Sequence, residues 1–574
     1  MKDYGHIRNV YGTLLADLSI RQDLGALTKG LAAEASVSFD NIGGMNETTS
    51  KEYRYMNSNA SITSDGTLVT TPVIYGTDSE TLGHNQPFER LMLRSDFQAK
   101  VDYNRTFGKH QVGGALIYDM QSVVKNGRNN SQKNQSVLVN ATYTYDNRYS
   151  LNAVFNRSGS AYLPDGDKYS NYPAVSAAWI VSNEAFMEKV TPINLFKIRA
   201  SYGLSGWDGN LSHELWRQSY GSGGAGYNFG VNAGGQSGGS EGDLPVIGLV
   251  AEKSQKATFG FDLAAFDNRL NATVEGFYEK RSDILVSGAN STSGIIGITV
   301  GQVNEGIYKY KGLDASLSWN DKIGDFHYGI GASMSYLNTE VVNVNQAYQE
   351  YDYLYTKGNR IGQMYGLEAI GFFNSQQEIN NSPQQTFSDV APGDVKYKDQ
   401  NGDNRIDEKD VVKMFGSSVP RFYFGFNLNF SYKRVELSAD FQGMTGVTVS
   451  LLNSPLYSPL VSNGNISNTF LNEEISWTPE NKTNATMPRL TTQENLNNYR
   501  ASSLWYRDGS FLKLRNLLVA YTFPKSQTRF ADLKVFVQGT NLFSLDNLHF
   551  ADPEQLGIAY PSTRSYWAGI KLNF

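Results

Sequence analysis

Apolar and polar residues alternate strictly in many short stretches of this chain. The last eleven residues are the clearest case, with one face formed by Tyr566, Ala568, Ile570, Leu572 and Phe574 and the other by Trp567, Gly569, Lys571 and Asn573. Comparable alternation recurs at 31–39, 96–103, 112–120, 137–145, 149–155, 259–263, 270–278, 422–430 and 435–441. A period of two residues predicts β-strands with one apolar and one polar face.

The connections between these strands alternate between short and long. Short turns are predicted near 22–28, 105–109, 146–148, 183–194, 266–269, 320–323, 431–434 and 523–531. Long connections are predicted near 40–93, 121–134, 159–171, 206–254, 281–308, 338–420, 445–510 and 542–563. This asymmetry is typical of outer-membrane barrels, which have short periplasmic turns and long extracellular loops. About 17 spanning strands fit the pattern, if the apolar pieces Thr67–Tyr75 and Tyr365–Phe373 are assigned to folded loops. The predicted fold class is therefore all-β, a transmembrane antiparallel β-barrel with long extracellular loops.

Composition narrows the class of protein. The chain has 574 residues, a net charge of −6 and no basic stretch, so a nucleic-acid partner is not expected. It has no Cys, which excludes disulfides and thiolate metal sites. No apolar run of about 18 residues predicts a transmembrane helix, whereas barrel strands need only about 10 alternating residues. The residues after Met1 do not form a signal peptide, and we expect that Met1 is not the natural start of a secreted barrel.

The segment 399–410 has the spacing of a calcium-binding loop. Oxygen-bearing side chains occupy positions 1, 3, 5, 9 and 12, and the backbone carbonyl of position 7 completes a predicted ligand set of Asp399, Asn401, Asp403, Arg405, Asp407 and Asp410. Ile406 at position 8 is expected to anchor the loop on apolar neighbours. Two positions depart from the pattern, because Asn404 replaces the usual Gly and Asp410 the usual Glu. The competing interpretation is a surface turn without metal.

No catalytic constellation is found, so the chain is not expected to be an enzyme. Gly221–Gly226 and Gly238–Gly242 match short glycine motifs of nucleotide-binding and hydrolase folds, but neither stands between a strand and a helix. The predicted long loops are rich in aromatic residues: Tyr348, Tyr351, Tyr353, Tyr355, Trp477, Tyr499, Trp505 and Tyr506. These residues fit either substrate contacts at a barrel mouth or the cores of folded loops.

Several longer motifs resemble the SusC/RagA family of TonB-dependent outer-membrane transporters of Bacteroidetes. They are GDVKYKDQNGDNRID at 393–407, PRFYFGFNLNFSYK at 420–433, WTPEN at 477–481, PRL at 488–490, DGSFLKLRN at 508–516 and the terminal segment 560–574. The segments 172–179 and 196–203 fit as well. Together they cover nearly the whole chain.

The resemblance implies uptake of oligosaccharides or peptides across the outer membrane. In that family a 22-stranded barrel works with a SusD-like surface lipoprotein and is driven by TonB with ExbB and ExbD. The resemblance also implies that residues 1–574 are the C-terminal part of such a barrel. A signal peptide, an N-terminal domain, a TonB box, a plug and about five first strands are then expected outside this sequence.

The sequence also fits two other classes of protein. A passive porin or surface adhesin would need no plug. A secreted β-rich glycan-binding protein or hydrolase would be soluble without detergent, and a hydrolase would need a pair of carboxylates in a cleft.

The barrel interpretation also predicts which side chains meet lipid. Ile570, Leu572, Phe574, Phe424, Phe426 and Leu428 should be exposed on the protein, and Lys571, Asn573, Asn427 and Asn429 should face the lumen. Leu572 and Phe426 packed inside a closed protein core would contradict it.

Overall fold

A computed structural model describes most of the chain. The described residues are 5–62, 67–125, 131–212, 214–228, 235–290, 295, 297–298, 300–452, 454–461, 465–473, 475–548, 551–555 and 562–574. Within them no helix is long and apolar enough to cross a membrane.

Strands dominate the described residues. In chain order they are β1 (Ile7–Asp23), β2 (Leu31–Ser50), β3 (Tyr55–Ile62), β4 (Leu68–Tyr75), β5 (Gly83–Asn85), β6 (Phe88–Phe107), β7 (His110–Lys125), β8 (Ser131–Tyr145), β9 (Tyr149–Ser160), β10 (Tyr169–Ile180), β11 (Ile193–Trp207), β12 (Tyr220–Asn228), β13 (Gly235–Glu241), β14 (Glu252–Ala265), β15 (Leu270–Ser287), β16 (Gln302–Ile323), β17 (Phe326–Asn343), β18 (Gln363–Gly366), β19 (Ala369–Phe372), β20 (Gln384–Gln385), β21 (Val395–Tyr397), β22 (Arg405–Ile406), β23 (Val412–Ser417), β24 (Phe422–Tyr432), β25 (Val435–Thr445), β26 (Thr448–Ser450), β27 (Tyr506–Asp508), β28 (Phe511–Phe523), β29 (Asp532–Asp546) and β30 (Ser565–Asn573).

Helices are few and short among the described residues. The α-helices are α1 (Gln376–Asn380), α2 (Asn468–Glu473) and α3 (Lys525–Thr528). Single turns of 3₁₀-helix lie at Val181–Asn183, Ala185–Met187, Asp352–Leu354, Glu408–Asp410 and Pro455–Tyr457.

One antiparallel sheet of 18 strands organises the molecule, and 17 of them are long once the three-residue β5 is set aside. Each long strand pairs with the long strand before and after it, in the order β1, β2, β6, β7, β8, β9, β10, β11, β14, β15, β16, β17, β24, β25, β28, β29, β30. The predicted count of about 17 is confirmed. In the described residues β1 and β30 each pair on one side only.

Tight turns connect the strands at one end of the sheet. Residues 146–148 join β8 to β9, and Asp146 and Asn147 have φ of +50° and +53°, the left-handed backbone found in tight hairpin turns. The turn between β16 and β17 lies at Gly324 and Asp325, so the prediction near 320–323 was wrong by a few residues. The predicted turn residues Asn320 to Ile323 belong to β16 instead, because they pair with β17.

Long connections lie at the opposite end of the sheet, and the predicted alternation of short and long connections holds for most of them. Two predicted long connections are shorter than expected, because β7 and β8 leave only 5 residues between them and β9 and β10 only 8. Several strands run further toward this end than predicted. For example, β2 extends to Ser50, and β7 and β8 reach Lys125 and Ser131. Thr67–Tyr75 and Tyr365–Phe373 lie in small separate sheets within these connections, as predicted.

One face of the large sheet is apolar and exposed. Val101, Leu116 and Val139 lie side by side on β6, β7 and β8, and they are 44%, 51% and 45% exposed. A soluble sheet would bury such a face against a second layer. The exposed apolar face therefore matches the lipid-facing surface of an outer-membrane barrel.

Aromatic side chains border the apolar face near the short turns. The rings of Tyr149 and Trp179 stack with centroids 6.4 Å apart, and those of Phe326 and Phe430 with centroids 6.0 Å apart. Phe266 lies 5.8 Å from Trp319 in the same region. A row of aromatic rings at the edge of an apolar band is the girdle expected at a membrane interface.

The opposite face is polar and carries ion pairs between strands. Arg21 on β1 contacts Glu34 at 2.9 Å and Asp102 at 3.0 Å. Arg199 on β11 pairs with both Asp262 and Glu275. Cross-strand pairs of opposite charge stabilise neighbouring strands, and the position of this face fits the lumen.

The predicted lipid-facing side chains are outside any closed core. Ile570, Leu572 and Phe574 are exposed, whereas Phe424, Phe426 and Leu428 are only half-exposed. Phe426 loses exposure because its ring stacks on Phe441 of β25 at 4.3 Å. The predicted lumen residues Asn427, Asn429, Lys571 and Asn573 are exposed on the other face of their strands.

Candidate functional site

Two long connections fold together at the loop end of the sheet. We call the described residues of 344–421 and 446–510 the loop module. Each connection carries short strand pairs of its own, such as β18 with β23 and β26 with β27. Leu367 of the first connection and Ser502 of the second form a parallel bridge between them. The loop module is thus a folded unit on the end of the sheet.

The loop module has a hydrophobic core that the sheet itself lacks. One cluster packs around Trp505 and contains Leu451, Tyr457, Phe470 and Met487, together with Leu548 from the connection after β29. A second cluster contains Leu367, Val395, Tyr397 and Ile406. Trp505 is fully buried, and its indole N–H donates to the carbonyl of Asn498 at 2.8 Å. Burial of these aromatic and aliphatic groups fixes the two connections against each other.

A buried ion pair also joins the two connections. The carboxylate of Asp394 is inaccessible to solvent and accepts from Arg489 Nε at 2.7 Å and Nη2 at 3.3 Å. The Asn498 side-chain amide donates to the same carboxylate at 2.9 Å, and the Ala391 N–H donates at 2.8 Å. Asn498 in turn accepts from the Val395 N–H at 2.9 Å. Every acceptor position is therefore used, as a buried charge requires.

Tyr397 lies beside this ion pair. Its hydroxyl donates to the carbonyl of Asn497 at 2.8 Å. Burial raises the pKa of Tyr397 well above its ordinary value, because the phenolate would lose its hydration. Tyr397 is thus a neutral hydrogen-bond donor within the core.

The last long connection is attached to the sheet by ion pairs. Lys513 of β28 is buried and contacts Asp552 Oδ1 and Glu554 Oε2, each at 2.6 Å. Arg515 adds a second contact to Glu554 at 2.5 Å. Burial alone would raise the pKa of Asp552, but hydrogen bonds from Lys513 and Ser562 outweigh it and lower that pKa.

A separate cluster joins two other long connections. Leu163 from the connection after β9 packs with Leu211, Val246, Leu249 and Ala251 from the connection after β11. Five of the long connections thus contribute to the packed clusters.

The predicted calcium loop lies on the surface of the loop module. Asn404 has φ of +64°, so it adopts the left-handed conformation for which the pattern normally uses Gly. Ile406 is fully buried in the module core, as predicted. The backbone of the loop therefore follows the expected course at both positions.

The carboxylates of this loop bind its own backbone. Asp399 accepts from Gly402 N at 2.7 Å and Asn404 N at 2.9 Å, and Asp403 accepts from Arg405 N at 2.8 Å. The Arg405 N–H and the Asn401 amide lower the pKa of Asp403. Asp403 is thus held as the anion that a hard cation needs.

At the other end of the loop, Asp407 and Asp410 close a short helical turn. Asp410 is fully buried and accepts from Gln400 N at 2.7 Å and Asp407 N at 2.9 Å. Among the described residues no group of three or more His, Asp or Glu side chains is placed to hold a metal ion. The predicted ligand set therefore stays a prediction.

The loop aromatics divide into core and surface groups. Trp477, Trp505 and Tyr506 are buried, which favours the loop-core interpretation for them. Tyr348 is 86% exposed, and the rings of Tyr351 and Tyr353 stack at 5.3 Å. Tyr351, Tyr353, Tyr355 and Tyr499 are half-buried, so Tyr348 is the most exposed of the eight aromatic residues.

The curated proteins that this chain resembles share the name TonB-dependent receptor. TonB-dependent receptor P26 of Formosa agariphila is 28% identical over 461 residues, covering 75% of this chain and 45% of that protein. TonB-dependent receptor P3 of the same organism is 25% identical over 548 residues, covering 83% and 52%. TonB-dependent receptor SusC of Bacteroides thetaiotaomicron is 22% identical over 465 residues, covering 75% and 43%. No family model matches the chain.

The fold has a close structural counterpart. The RagAB peptide transporter superposes with a TM-score of 0.73 at 17% identity, covering 99% of this chain and 62% of that chain. The chain is thus similar to TonB-dependent transporters of the SusC/RagA type, and the predicted resemblance, all-β fold and outer-membrane location are confirmed. The relatives are receptors and transporters and not enzymes. The chain spans about half the length of the curated relatives it matches.

We predict that Arg489→Met loosens the loop module. The substitution leaves the buried Asp394 carboxylate without its cation, which typically costs about 3–5 kcal/mol. Amide hydrogen exchange at Asp394, Val395 and Asn498 should become faster in the variant.

The matched control is Lys398→Met. The Lys398–Glu368 pair at 3.2 Å is about half exposed, so its loss should cost less than about 1 kcal/mol. Unchanged exchange protection in Arg489→Met would show that the ion pair does not hold the module together.

Proposed function

We propose that this chain forms much of the wall and the folded loops of a TonB-dependent importer of oligosaccharides or peptides. The observation that carries the proposal is the combination of two features at defined places. The sheet presents an exposed apolar face with a polar face behind it, and one end of the sheet bears a packed loop module. The first feature suits a membrane wall, and the second suits recognition outside the cell.

We also propose partners for the whole protein. A SusD-like surface lipoprotein is proposed to sit on the loop end, and TonB with ExbB and ExbD is proposed to act through an N-terminal region of the whole protein. Support comes from the likeness to SusC and to the RagAB transporter. In this chain the exposed aromatic residue Tyr348 and the stacked pair Tyr351 and Tyr353 are the proposed contacts for substrate or lipoprotein.

Energy-dependent uptake is the expected activity of the whole protein. Cells that depend on the gene containing this chain should remove specific oligosaccharides or peptides from a defined mixture, as followed by mass spectrometry of the medium. Uptake should stop when tonB is disrupted or the proton-motive force is collapsed, because import by this class is driven and not passive.

A protein variant serves as the control for assembly. Lys398→Met should import like the wild type, since it removes only an exposed ion pair. Uptake that continues without TonB would contradict the proposal and favour the passive porin.

We further propose that segment 399–410 binds Ca²⁺. The proposed ligands are Asp399, Asn401, Asp403, Asp407 and Asp410 with the carbonyl of Arg405, an all-oxygen set that suits a hard cation. A bound ion would order the loop, and no transport step is assigned to it. Support comes from the donor chemistry and from the left-handed conformation of Asn404.

The calcium proposal predicts a charge-dependent affinity. Asp399→Asn with Asp403→Asn removes two anionic ligands and should weaken Ca²⁺ binding by at least about tenfold in calorimetric titration of the purified protein. Asp165→Asn with Asp167→Asn removes equal charge from another exposed loop and should leave binding unchanged. If the wild type takes up no Ca²⁺ at millimolar concentration, the segment is only a turn.

A further inference from the structure

Three lysines lie together on the apolar side of the large sheet, at its loop end. Lys280 of β15 is directly opposite Lys309 of β16, and Lys311 is directly opposite Tyr278. Residues two apart on a strand share a face, so Lys280, Lys309 and Lys311 lie on the face that carries the exposed Tyr278. We call these three residues the lysine patch.

The lysine patch marks the edge of the apolar face. Toward the short turns, the same face continues through the apolar or small residues Gly276, Val274, Ala272 and Leu270 on β15 and Leu313, Ala315, Leu317 and Trp319 on β16. Trp319 belongs to the aromatic girdle at the other end of that face. The lysines are therefore at the boundary where an apolar band about 25 Å tall would meet the outer polar layer of a membrane.

The charges of the lysine patch are not compensated within the described residues. The side chains of Lys280, Lys309 and Lys311 form no ion pair or hydrogen bond there, although two of them are directly opposite each other. Like charges at directly opposite positions destabilise a sheet. A partner that supplies negative charge would remove this cost.

The nearest carboxylates form no ion pair with the three lysines. Glu340 of β17 is opposite Lys309 in the register, but the two side chains form no ion pair within 4.0 Å. Asp283 is paired with Lys253 at 3.1 Å. Glu305 is exposed further toward the loops, and in the described structure it also pairs with none of the three lysines.

Charged residues on the opposite face of these strands pair with one another and not with the lysine patch. Arg281 contacts Glu279 at 2.6 Å and Glu252 at 3.7 Å. Because these residues alternate with those of the lysine patch along the strands, they point to the other side of the sheet.

We propose that the lysine patch binds the phosphate groups of a phosphorylated glycolipid in the outer leaflet, of the lipid A type. This inference rests on the proposed function, because it requires the apolar face to lie in the membrane. Lysine ammonium groups bind phosphate as point charges. One phosphate can lie between Lys280 and Lys309, whose Cα atoms are about 4.5–5.5 Å apart as directly paired residues.

A lipid fits this position better than a free anion. Acyl chains of the same molecule can lie against the apolar residues next to the patch, and the ring of Tyr278 suits the interface between the two regions. The binding energy would then combine charge attraction with burial of hydrocarbon, which inorganic phosphate cannot supply.

The test compares two sets of variants of the protein that contains this chain, purified from outer membranes in detergent. The first set is Lys280→Gln, Lys309→Gln and Lys311→Gln together. The matched control is Lys29→Gln, Lys189→Gln and Lys525→Gln, three exposed lysines near the short turns. Fluorescent bisphosphorylated lipid A, its dephosphorylated form and phosphatidylcholine are the probes, with inorganic phosphate as competitor.

The wild type should bind bisphosphorylated lipid A at least about tenfold more tightly than the patch variant does, and the control should match the wild type. Removal of the lipid phosphates should abolish the difference, and added salt should reduce it. Equal binding by the wild type and the patch variant would overturn the inference, as would complete displacement by equimolar inorganic phosphate.

Measurements on the same preparation distinguish a failure of the lipid inference from a failure of the proposed function. A wild type that inserts and imports normally but binds lipid A no better than the patch variant would overturn only the lipid inference. A wild type absent from outer membranes would overturn both. Heat-modifiable gel migration identifies any variant that has failed to fold, and single Lys→Gln variants then replace the triple one.

Discussion

The pairing of backbone polar groups is the constraint on which the rest of this structure depends. In hydrocarbon an unpaired N–H or C=O costs several kcal/mol, so a strand that crosses a membrane must pair along its length. The fifteen long strands from β2 to β29 meet this requirement by pairing on both sides in an antiparallel order, whereas in the described residues β1 and β30 pair on one side only. Because the backbone groups are paired within the sheet, the side chains of one face can be apolar and those of the other face polar.

A sheet with lipid on one side has no conventional core, so burial is concentrated in the connections. The loop module contains several side chains that solvent does not reach, among them Trp505, Leu367, Val395 and Ile406. The module therefore owes its shape to ordinary hydrophobic packing and to the Asp394–Arg489 ion pair. The loop module thus forms a rigid, folded surface at one end of the sheet, where substrate and partners are proposed to bind.

Local patterns in the sequence were sufficient to predict the strands and the sidedness of the connections. Alternation in 137–145 and 149–155, with Asp146, Asn147 and Arg148 between them, specifies a hairpin without any distant information. The strand ends near the loops were predicted too short, because pairing continues through polar residues such as those after Phe39. The Asp394–Arg489 pair joins positions 95 residues apart, and no local pattern reveals it. The three lysines also escaped prediction, because Lys280 and Lys309 become neighbours only through the register of β15 and β16.

The proposed orientation places the loop end outside the cell and the short turns inside, with lipid between them. These 574 residues contain no Cys, so a cysteine introduced here is the single thiol of this part of the protein, and cells with the unsubstituted protein give the background. Tyr348→Cys on the loop module and Ser526→Cys in a short turn are both at exposed positions. Intact cells are treated with a membrane-impermeant maleimide, before and after permeabilisation. The account predicts that position 348 reacts in intact cells and position 526 only after permeabilisation. Reaction at 526 in intact cells, or at 348 only after permeabilisation, would contradict it.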